Sequence, residues 1–201
     1  RRRLNLESGH FDLLDGKRQD IFHCDKQFMT AVYGPRWRIV IIGAGQLSQY
    51  LAQMALALDY EVFVIDPREE FEAGLNIEGV QFMRGMPDDV IVDLAIDSHT
   101  AILALTHDPK LDDMGLLEAL KSPAFYIGAL GSRVNTLKRK ERLALFDLSK
   151  HEIDRLHGPV GMYIGAKTPP EIAVSILAEI TAVKHGVQVA QKREVKVLET
   201  S

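Results

Sequence analysis

The most constraining feature of this chain is the stretch 37–66, which reads WRIVIIGAGQLSQYLAQMALALDYEVFVID. An apolar strand leads into a glycine-rich turn, an amphipathic helix and a second apolar strand that ends in an acid. Gly43 and Gly45 open a G-x-G-x-x-S turn, and Asp66 lies 23 residues after Gly43. This order is typical of a dinucleotide-binding βαβ unit. The alternative is a glycine turn that only closes a strand–helix corner.

The residues of this turn suit a bound nucleotide. Gly43 can adopt backbone dihedrals that a Cβ resists, and Gly45 lets backbone N–H groups approach a pyrophosphate. The helix that begins near Gly45 points the positive end of its dipole at the same place. Asp66, at the carboxyl end of the second strand, is placed to accept hydrogen bonds from ribose hydroxyls. Ser48 replaces the third glycine and is small enough for helix–strand packing.

The rest of the chain alternates between apolar strands and helical segments. Five strands are predicted, at about residues 37–42, 61–65, 80–83, 100–105 and 124–130. Helices are predicted to begin near Gly45, Pro87, residue 111, Ser132, Ser149 and Thr168, the last ending at Gly186. This alternation predicts an α/β fold, a doubly wound parallel Rossmann-like sheet in the order 3-2-1-4-5 with helices on both faces.

Domain boundaries follow the change in pattern at Pro35. Residues 1–36 are expected to be an irregular flank, a linker or remnant of a preceding domain, with one or two short strands in 21–33. Residues 37–186 form the predicted Rossmann-like domain, and 187–201 a polar tail. The chain begins with arginine, not methionine, so we expect a fragment.

Composition narrows the classes of partner. A net charge of −4 argues against a general nucleic-acid binder, and no apolar run is long enough to cross a membrane. The single cysteine, Cys24, allows no internal disulfide and fits a reducing compartment, so a cytoplasmic location is expected. Packing of the flank on a neighbouring subunit would give a homodimer.

Candidate binding residues follow from the topology, because ligands of open α/β sheets bind outside the carboxyl ends of the strands. Four segments should meet there; they contribute Gly43, Gly45, Gln46, Asp66, Arg68, Thr106, His107, Asp108, Gly131, Ser132 and Arg133. Asp66 favours an unphosphorylated ribose, whereas Arg68 either meets a 2′-phosphate or is a solvated cation. The segment from Gly131 to Arg133 is either a second anion site or an ordinary helix cap.

Other polar residues carry weaker signals. His107 is either a proton donor or heterocycle contact, or a loop histidine without a role. The basic stretch 138–142 favours a solvated helix face over a docking surface. No third ligand accompanies His107 and Asp108, so no metal site is expected. No serine, cysteine or lysine has a recognisable base beside it, so no catalytic residue is assigned.

Four segments together resemble the C-terminal domain of the XdhC/CoxI family, the accessory proteins of xanthine dehydrogenase and related molybdenum hydroxylases. They are the stretch 39–68, LTHD followed by Asp112, YIGALGSR, and HGPVGMYIGAKTPPEIAVSILAEI. The resemblance runs from about Trp37 to Gly186, and the last segment is the most specific. Family members often have a histidine where this chain has Gln46, and we expect the family's N-terminal domain with its cysteine motif to be missing from this fragment.

The resemblance implies a cytoplasmic chaperone that binds molybdenum cofactor, in its mononucleotide or dinucleotide form. It implies that the protein works with a cysteine desulfurase that sulfurates the cofactor, and delivers the cofactor to the apo-enzyme of a molybdenum hydroxylase. The candidate residues named above, from Gly43 to Arg133, are then its binding site. The alternative is an NAD(P)-dependent oxidoreductase with His107 as proton donor. A nucleotide-sensing regulator is a third possibility, which would need a DNA-binding module.

Overall fold

The computed structural model describes residues 2–14, 22–31, 36–71 and 74–187. The chain divides into two compact units, residues 1–36 and residues 37–201. The predicted polar tail lies outside the described residues beyond Val187. No helix in the described ranges is both long enough and apolar enough to cross a bilayer.

The first unit is an antiparallel sheet of four short strands, β1 (Arg2–Asn5), β2 (Phe11–Leu13), β3 (Phe22–Cys24) and β4 (Phe28–Ala31), in the order β2-β1-β4-β3. The expectation of an irregular flank is therefore wrong, although the short strands predicted within 21–33 are confirmed. Strands of three or four residues are too short to show a clear alternation of apolar and polar residues. Their turns are held by side chains: Asp25 Oδ1 accepts hydrogen bonds from the N–H groups of Gln27 and Phe28 at 2.8 and 2.7 Å.

The second unit is built on a parallel sheet of six strands. They are β5 (Arg38–Ile42), β6 (Glu61–Ile65), β7 (Val80–Met83), β8 (Thr100–Ala104), β9 (Tyr126–Ala129) and β10 (Leu156–His157). Their order is β7-β6-β5-β8-β9-β10, which confirms the predicted order of the first five. The sequence missed β10, because two residues give no periodic pattern.

Within the described part of this unit, six α-helices cover the sheet: α1 (Gln46–Ala57), α2 (Pro87–Asp93), α3 (Pro109–Lys121), α4 (Arg133–Leu143), α5 (Lys150–Asp154) and α6 (Pro169–Lys184). Apolar side chains of α1 and α6 pack on one face of the sheet, where Leu51 and Ile176 are fully buried. Those of α2, α3 and α4 pack on the other, around Leu116 and Leu143. The predicted helices on both faces are confirmed.

Central strands place the candidate segments side by side at the carboxyl edge of the sheet. The N–H of Leu105 donates to Ile42 O, and the N–H of Leu130 donates to Ala104 O, each at 2.9 Å. These bonds continue the ladder beyond β5, β8 and β9. The turns that follow these three strands are therefore neighbours in space.

Candidate functional site

The glycine turn after β5 contains two glycines with different surroundings. Gly43 has a φ of +100°, and a Cβ on it would lie 2.7 Å from Thr106 Cγ2 and 3.1 Å from the backbone N of Thr106. Both the dihedral and the space exclude a side chain. Gly45 has an ordinary φ of −72°, and a Cβ on it would meet nothing within 4 Å. The open side of the turn therefore lies at Gly45.

The start of α1 presents free backbone donors beside that open space. Gly45 is the N-cap of α1, and no side chain caps the helix. The N–H groups of Gly45, Gln46 and Leu47 have no hydrogen-bond partner among the residues that the structure describes. Free N–H groups at the positive end of a helix dipole favour an anion.

Asp66 lies at the end of β6, as predicted, but its carboxylate faces its own loop. The side chain is fully buried. Oδ2 accepts hydrogen bonds from Ala44 N at 2.9 Å and Arg68 Nη2 at 2.8 Å, while Oδ1 accepts from the Arg68 Nε at 2.9 Å and backbone N at 3.1 Å. A ribose contact from Asp66 stays a prediction, and it would require Arg68 to move.

The environment of Asp66 keeps it ionised. Burial acts to raise the pKa of its carboxyl group, but the hydrogen bonds from Arg68 and from the Ala44 N–H outweigh burial, and the pKa is lowered. Arg68 also lies over the ring of Phe71, with 4.1 Å from Cζ to the ring centroid. The ion pair thus fixes the shape of the glycine turn.

A second buried aspartate holds the loop after β8. Asp112, on α3, is 1% exposed, and its Oδ1 accepts a hydrogen bond from Thr106 N at 3.1 Å and lies 2.8 Å from Thr106 Oγ1. Its Oδ2 accepts from Arg139 Nη2 at 2.7 Å. Burial raises the pKa of Asp112 and outweighs these partners. Arg139 also binds Asp113 and the carbonyl of Leu130, so it joins α3, α4 and the end of β9.

An open cleft of about 270 Å³ lies beside this network at the carboxyl ends of β8 and β9. Its lining residues are Thr106, His107, Pro109, Asp112, Leu130, Gly131, Asn135, Lys138, Arg139 and Arg142. Three of them, Thr106, His107 and Gly131, are candidates that the sequence selected. Basic side chains of α4 supply much of the rest of the wall.

The remaining candidates take more peripheral positions. Asp108 caps α3 by accepting a hydrogen bond from Lys110 N at 2.8 Å, and Ser132 caps α4, because its Oγ accepts from Asn135 N at 3.1 Å. A second anion site at Gly131 to Arg133 stays a prediction. Gln46 and Arg133 are exposed. Their roles in binding, like that of His107, stay predictions.

Sequence reasoning missed two features of this region. The expectation of a solvated basic face on 138–142 is wrong for Arg139, which is 8% exposed and paired. The second feature is a cluster around Glu179 of α6, which accepts a hydrogen bond from Tyr126 Oη at 2.8 Å and lies 3.0 Å from His157 Nδ1. Burial acts to raise the pKa of Glu179, but bonds from His157 and Tyr126 lower it.

No signal in the sequence identified the Glu179 cluster, because its members are far apart along the chain and one lies on the unpredicted β10. The cluster ties α6 to the sheet. Among the described residues, no group of three His, Cys, Asp or Glu side chains is placed to hold a metal ion.

Comparison with known proteins identifies relatives over most of the second unit. The sequence model of the XdhC Rossmann domain matches residues 39–180. The uncharacterized protein YqeB of Escherichia coli (strain K12) is 33% identical over 157 residues, which are 78% of this chain and 29% of that protein. The molybdenum cofactor insertion chaperone PaoD of Escherichia coli (strain K12) is 29% identical over 153 residues, 76% of this chain and 42% of that protein.

Structural comparison gives the same relationship. A crystal structure of a xanthine dehydrogenase from Bacillus halodurans is 28% identical, with a TM-score of 0.67, over 82% of this chain and 47% of that chain. The present chain spans less than half the length of the curated relatives that it matches.

Proposed function

The chain belongs to the XdhC Rossmann-domain family, and on this premise we propose that it binds molybdenum cofactor and assists its insertion into a xanthine dehydrogenase-type molybdenum hydroxylase. The proposal includes assistance with sulfuration of the cofactor, with a cysteine desulfurase and the apo-hydroxylase as partners. The observation that carries it is the family match over 39–180. The matched residues include both the glycine turn and the cleft beside Thr106, from Gly43 to Arg133, which together are called the crevice below. A relative named as an insertion chaperone for this cofactor supports the choice of ligand.

The residues of the crevice fit an anionic pterin phosphate. The free N–H groups at Gly45, Gln46 and Leu47 provide donors for phosphate oxygens, and the open space at Gly45 gives them room. The cofactor supplies its redox chemistry to the enzyme that receives it. The residues of this chain bind and orient it.

The hydrogen bonds made by the two buried aspartates favour a binding role over catalysis. Asp66 and Asp112 hold the two loops of the crevice through several hydrogen bonds each, so neither carboxylate is free to act as a base. An NAD(P)-dependent oxidoreductase draws support from the glycine turn and from His107 in the cleft. It draws none from Asp66, because the oxygens of Asp66 that would meet the ribose are already bonded.

Mass spectrometry of small molecules released from the full chain tests the proposal, with the protein purified anaerobically from molybdate-fed cells. We expect a pterin, or its oxidised fluorescent derivative, at near-stoichiometric yield. A nicotinamide dinucleotide without pterin would overturn the proposal in favour of a redox enzyme.

A substitution at Gly45 locates the bound ligand. Gly45→Asp places a carboxylate at the N-cap, where aspartate is favoured and the space is open, so the free energy of unfolding should change by less than about 1 kcal/mol. The same carboxylate occupies and repels the phosphate position, so pterin retention should fall at least about tenfold. Ser149→Asp, at the N-cap of α5, adds the same charge away from the crevice and should retain the pterin. Equal retention by both variants would place the ligand elsewhere.

A further inference from the structure

The cleft beside Thr106 carries one unbalanced positive charge. Three cations line it, and two of them are neutralised: Arg139 pairs with Asp112 at 2.7 Å and Asp113 at 3.1 Å, and Arg142 pairs with Asp113 at 2.7 Å. The third, Lys138, is exposed and has no ion-pair partner among the described residues. The charged groups of this network therefore leave a surplus of one, and Lys138 carries it.

The cleft and the glycine turn share a wall. Thr106 lines the cleft, and the same residue packs so closely on Gly43 that no Cβ fits between them. Gly131, which also lines the cleft, lies in the turn before α4. Thr106 thus adjoins both the glycine turn and the cleft, so a ligand that extends from the turn past Thr106 would enter the cleft.

We propose that Lys138 binds an anionic group at the second end of the ligand, so that the crevice selects molecules with a negative charge at both ends. This inference rests on the proposed function for the identity of the ligand and adds the rule by which it is selected. A nicotinamide dinucleotide carries at its second end a cationic ring when oxidised, which the surplus charge repels, and a neutral ring when reduced, which gains no ion pair with Lys138. A phosphate, a carboxylate or an anionic metal–sulfur centre at that end is favoured.

The side-chain chemistry of Lys138 suits this role. A lysine is a compact point charge on a flexible stem, so it can follow an anion whose position varies between ligands. The rigid part of the cleft is supplied by Arg139, which is held on three sides by Asp112, Asp113 and the Leu130 carbonyl. On α4, Lys138 therefore contacts the anion, while Arg139 keeps the wall of the cleft rigid.

Titration of the full ¹⁵N-labelled chain with inorganic phosphate, followed by NMR, tests the proposal residue by residue. Two sets of amide signals should shift with separate affinities, one near Gly45 to Leu47 and one near Asn135 to Arg139. Lys138→Gln should weaken binding at the second set about fivefold, as removal of one exposed charge contact does, and leave the first set unchanged. Added salt should reduce the effect.

Lys140→Gln is the matched control, because Lys140 lies on the same helix, carries the same charge and faces Asp154 at 3.9 Å rather than the cleft. It should leave both affinities unchanged. Absence of shifts at the cleft, an unchanged affinity in Lys138→Gln, or an equal loss in Lys140→Gln would each overturn the inference.

Retention of the pterin separates this inference from the proposed function. Lys138→Gln should lower the amount of pterin that remains after gel filtration, and Lys140→Gln should not. Pterin retained equally by both variants would overturn the role of Lys138 and leave the proposed function intact. Phosphate binding at both sites in a chain that never carries pterin would refute the proposed ligand alone.

Discussion

The two halves of the crevice are built on the same plan with different outcomes. At the glycine turn, buried Asp66 binds a backbone N–H and an arginine, and at the cleft, buried Asp112 does the same. Yet the pKa of Asp66 is lowered and that of Asp112 is raised. Two aspartates with similar partners therefore differ in how well their charge is stabilised.

The difference lies in the arginine and in the depth of the pair. Arg68 follows Asp66 by two residues, donates from its backbone and from two guanidinium nitrogens, and keeps 36% of its side chain exposed. Arg139 donates to Asp112 from a single nitrogen, and only 9% of its side chain is exposed. Burial removes water from a carboxylate at both sites, and only the first site replaces it with enough donors.

Removal of Asp112 should have the largest effect on stability. Asp112→Ala leaves Arg139 buried with one acid partner fewer and frees the Thr106 loop, so the free energy of unfolding should fall by about 3–5 kcal/mol. Urea denaturation followed by circular dichroism measures it. The double variant Asp112→Leu with Arg139→Met removes both charges and should recover part of the loss. A loss below about 1 kcal/mol would show that the cleft does not depend on this pair.

Asp66→Ala should cost less, about 1–3 kcal/mol, because the guanidinium of Arg68 can turn into water. The donors that then lose their partner are the buried backbone N–H of Ala44 and the partly buried backbone N–H of Arg68. The same denaturation experiment measures this loss. Asp154→Ala is the baseline, since this exposed carboxylate lies 3.9 Å from Lys140 and should contribute little. A loss as large as that of Asp112→Ala would remove the distinction between the two halves.

The smallest effect, and the sharpest test of the comparison, is the sign of the pH dependence. A lowered pKa stabilises the fold above the ordinary value of 3.8, and this contribution is lost as pH falls through the folded pKa. A raised pKa gives stability that is present below 3.8 and is lost as pH rises through the folded pKa.

The deficits of two isosteric variants relative to the wild type should therefore change in opposite directions. The deficit of Asp66→Asn should shrink as pH falls below 3.8, and that of Asp112→Asn should grow as pH falls from 7 towards 3.8. Each slope is limited to about 1.4 kcal/mol per pH unit. Unfolding free energies at several pH values measure both, and parallel trends would contradict the assignment.

Much of the second unit could be predicted from sequence because its signals are local. Apolar runs predicted the central strands, and the caps at Ser132, Ser149 and Thr168 predicted where helices begin. The position of Asp66 followed from its spacing to Gly43. The direction of its carboxylate did not, because Arg68 competes with any ligand for the same oxygens.

The features that were missed depend on contacts between distant residues. Asp112 and Arg139 are 27 residues apart, and Glu179 and Tyr126 are 53 apart, so no window of sequence contains either pair. A buried arginine on a basic helix also looks like its solvated neighbours until the packing is known. Antiparallel pairing of three-residue strands in the first unit likewise depends on partners rather than on local pattern.

Because no side chain caps the start of α1, an anion bound there stabilises the folded chain and should lengthen the lifetime of the protein. A helix that begins at glycine gives up only roughly a few tenths of a kcal/mol relative to a capping side chain, and a bound anion at the positive end of the helix dipole contributes about 0.3–1 kcal/mol. A ligand present at 100 times its Kd stabilises the folded chain by about 2.7 kcal/mol. Proteases that cleave the transiently opened chain would therefore remove empty molecules faster than ligand-bound ones, and the population would be enriched in ligand-bound molecules.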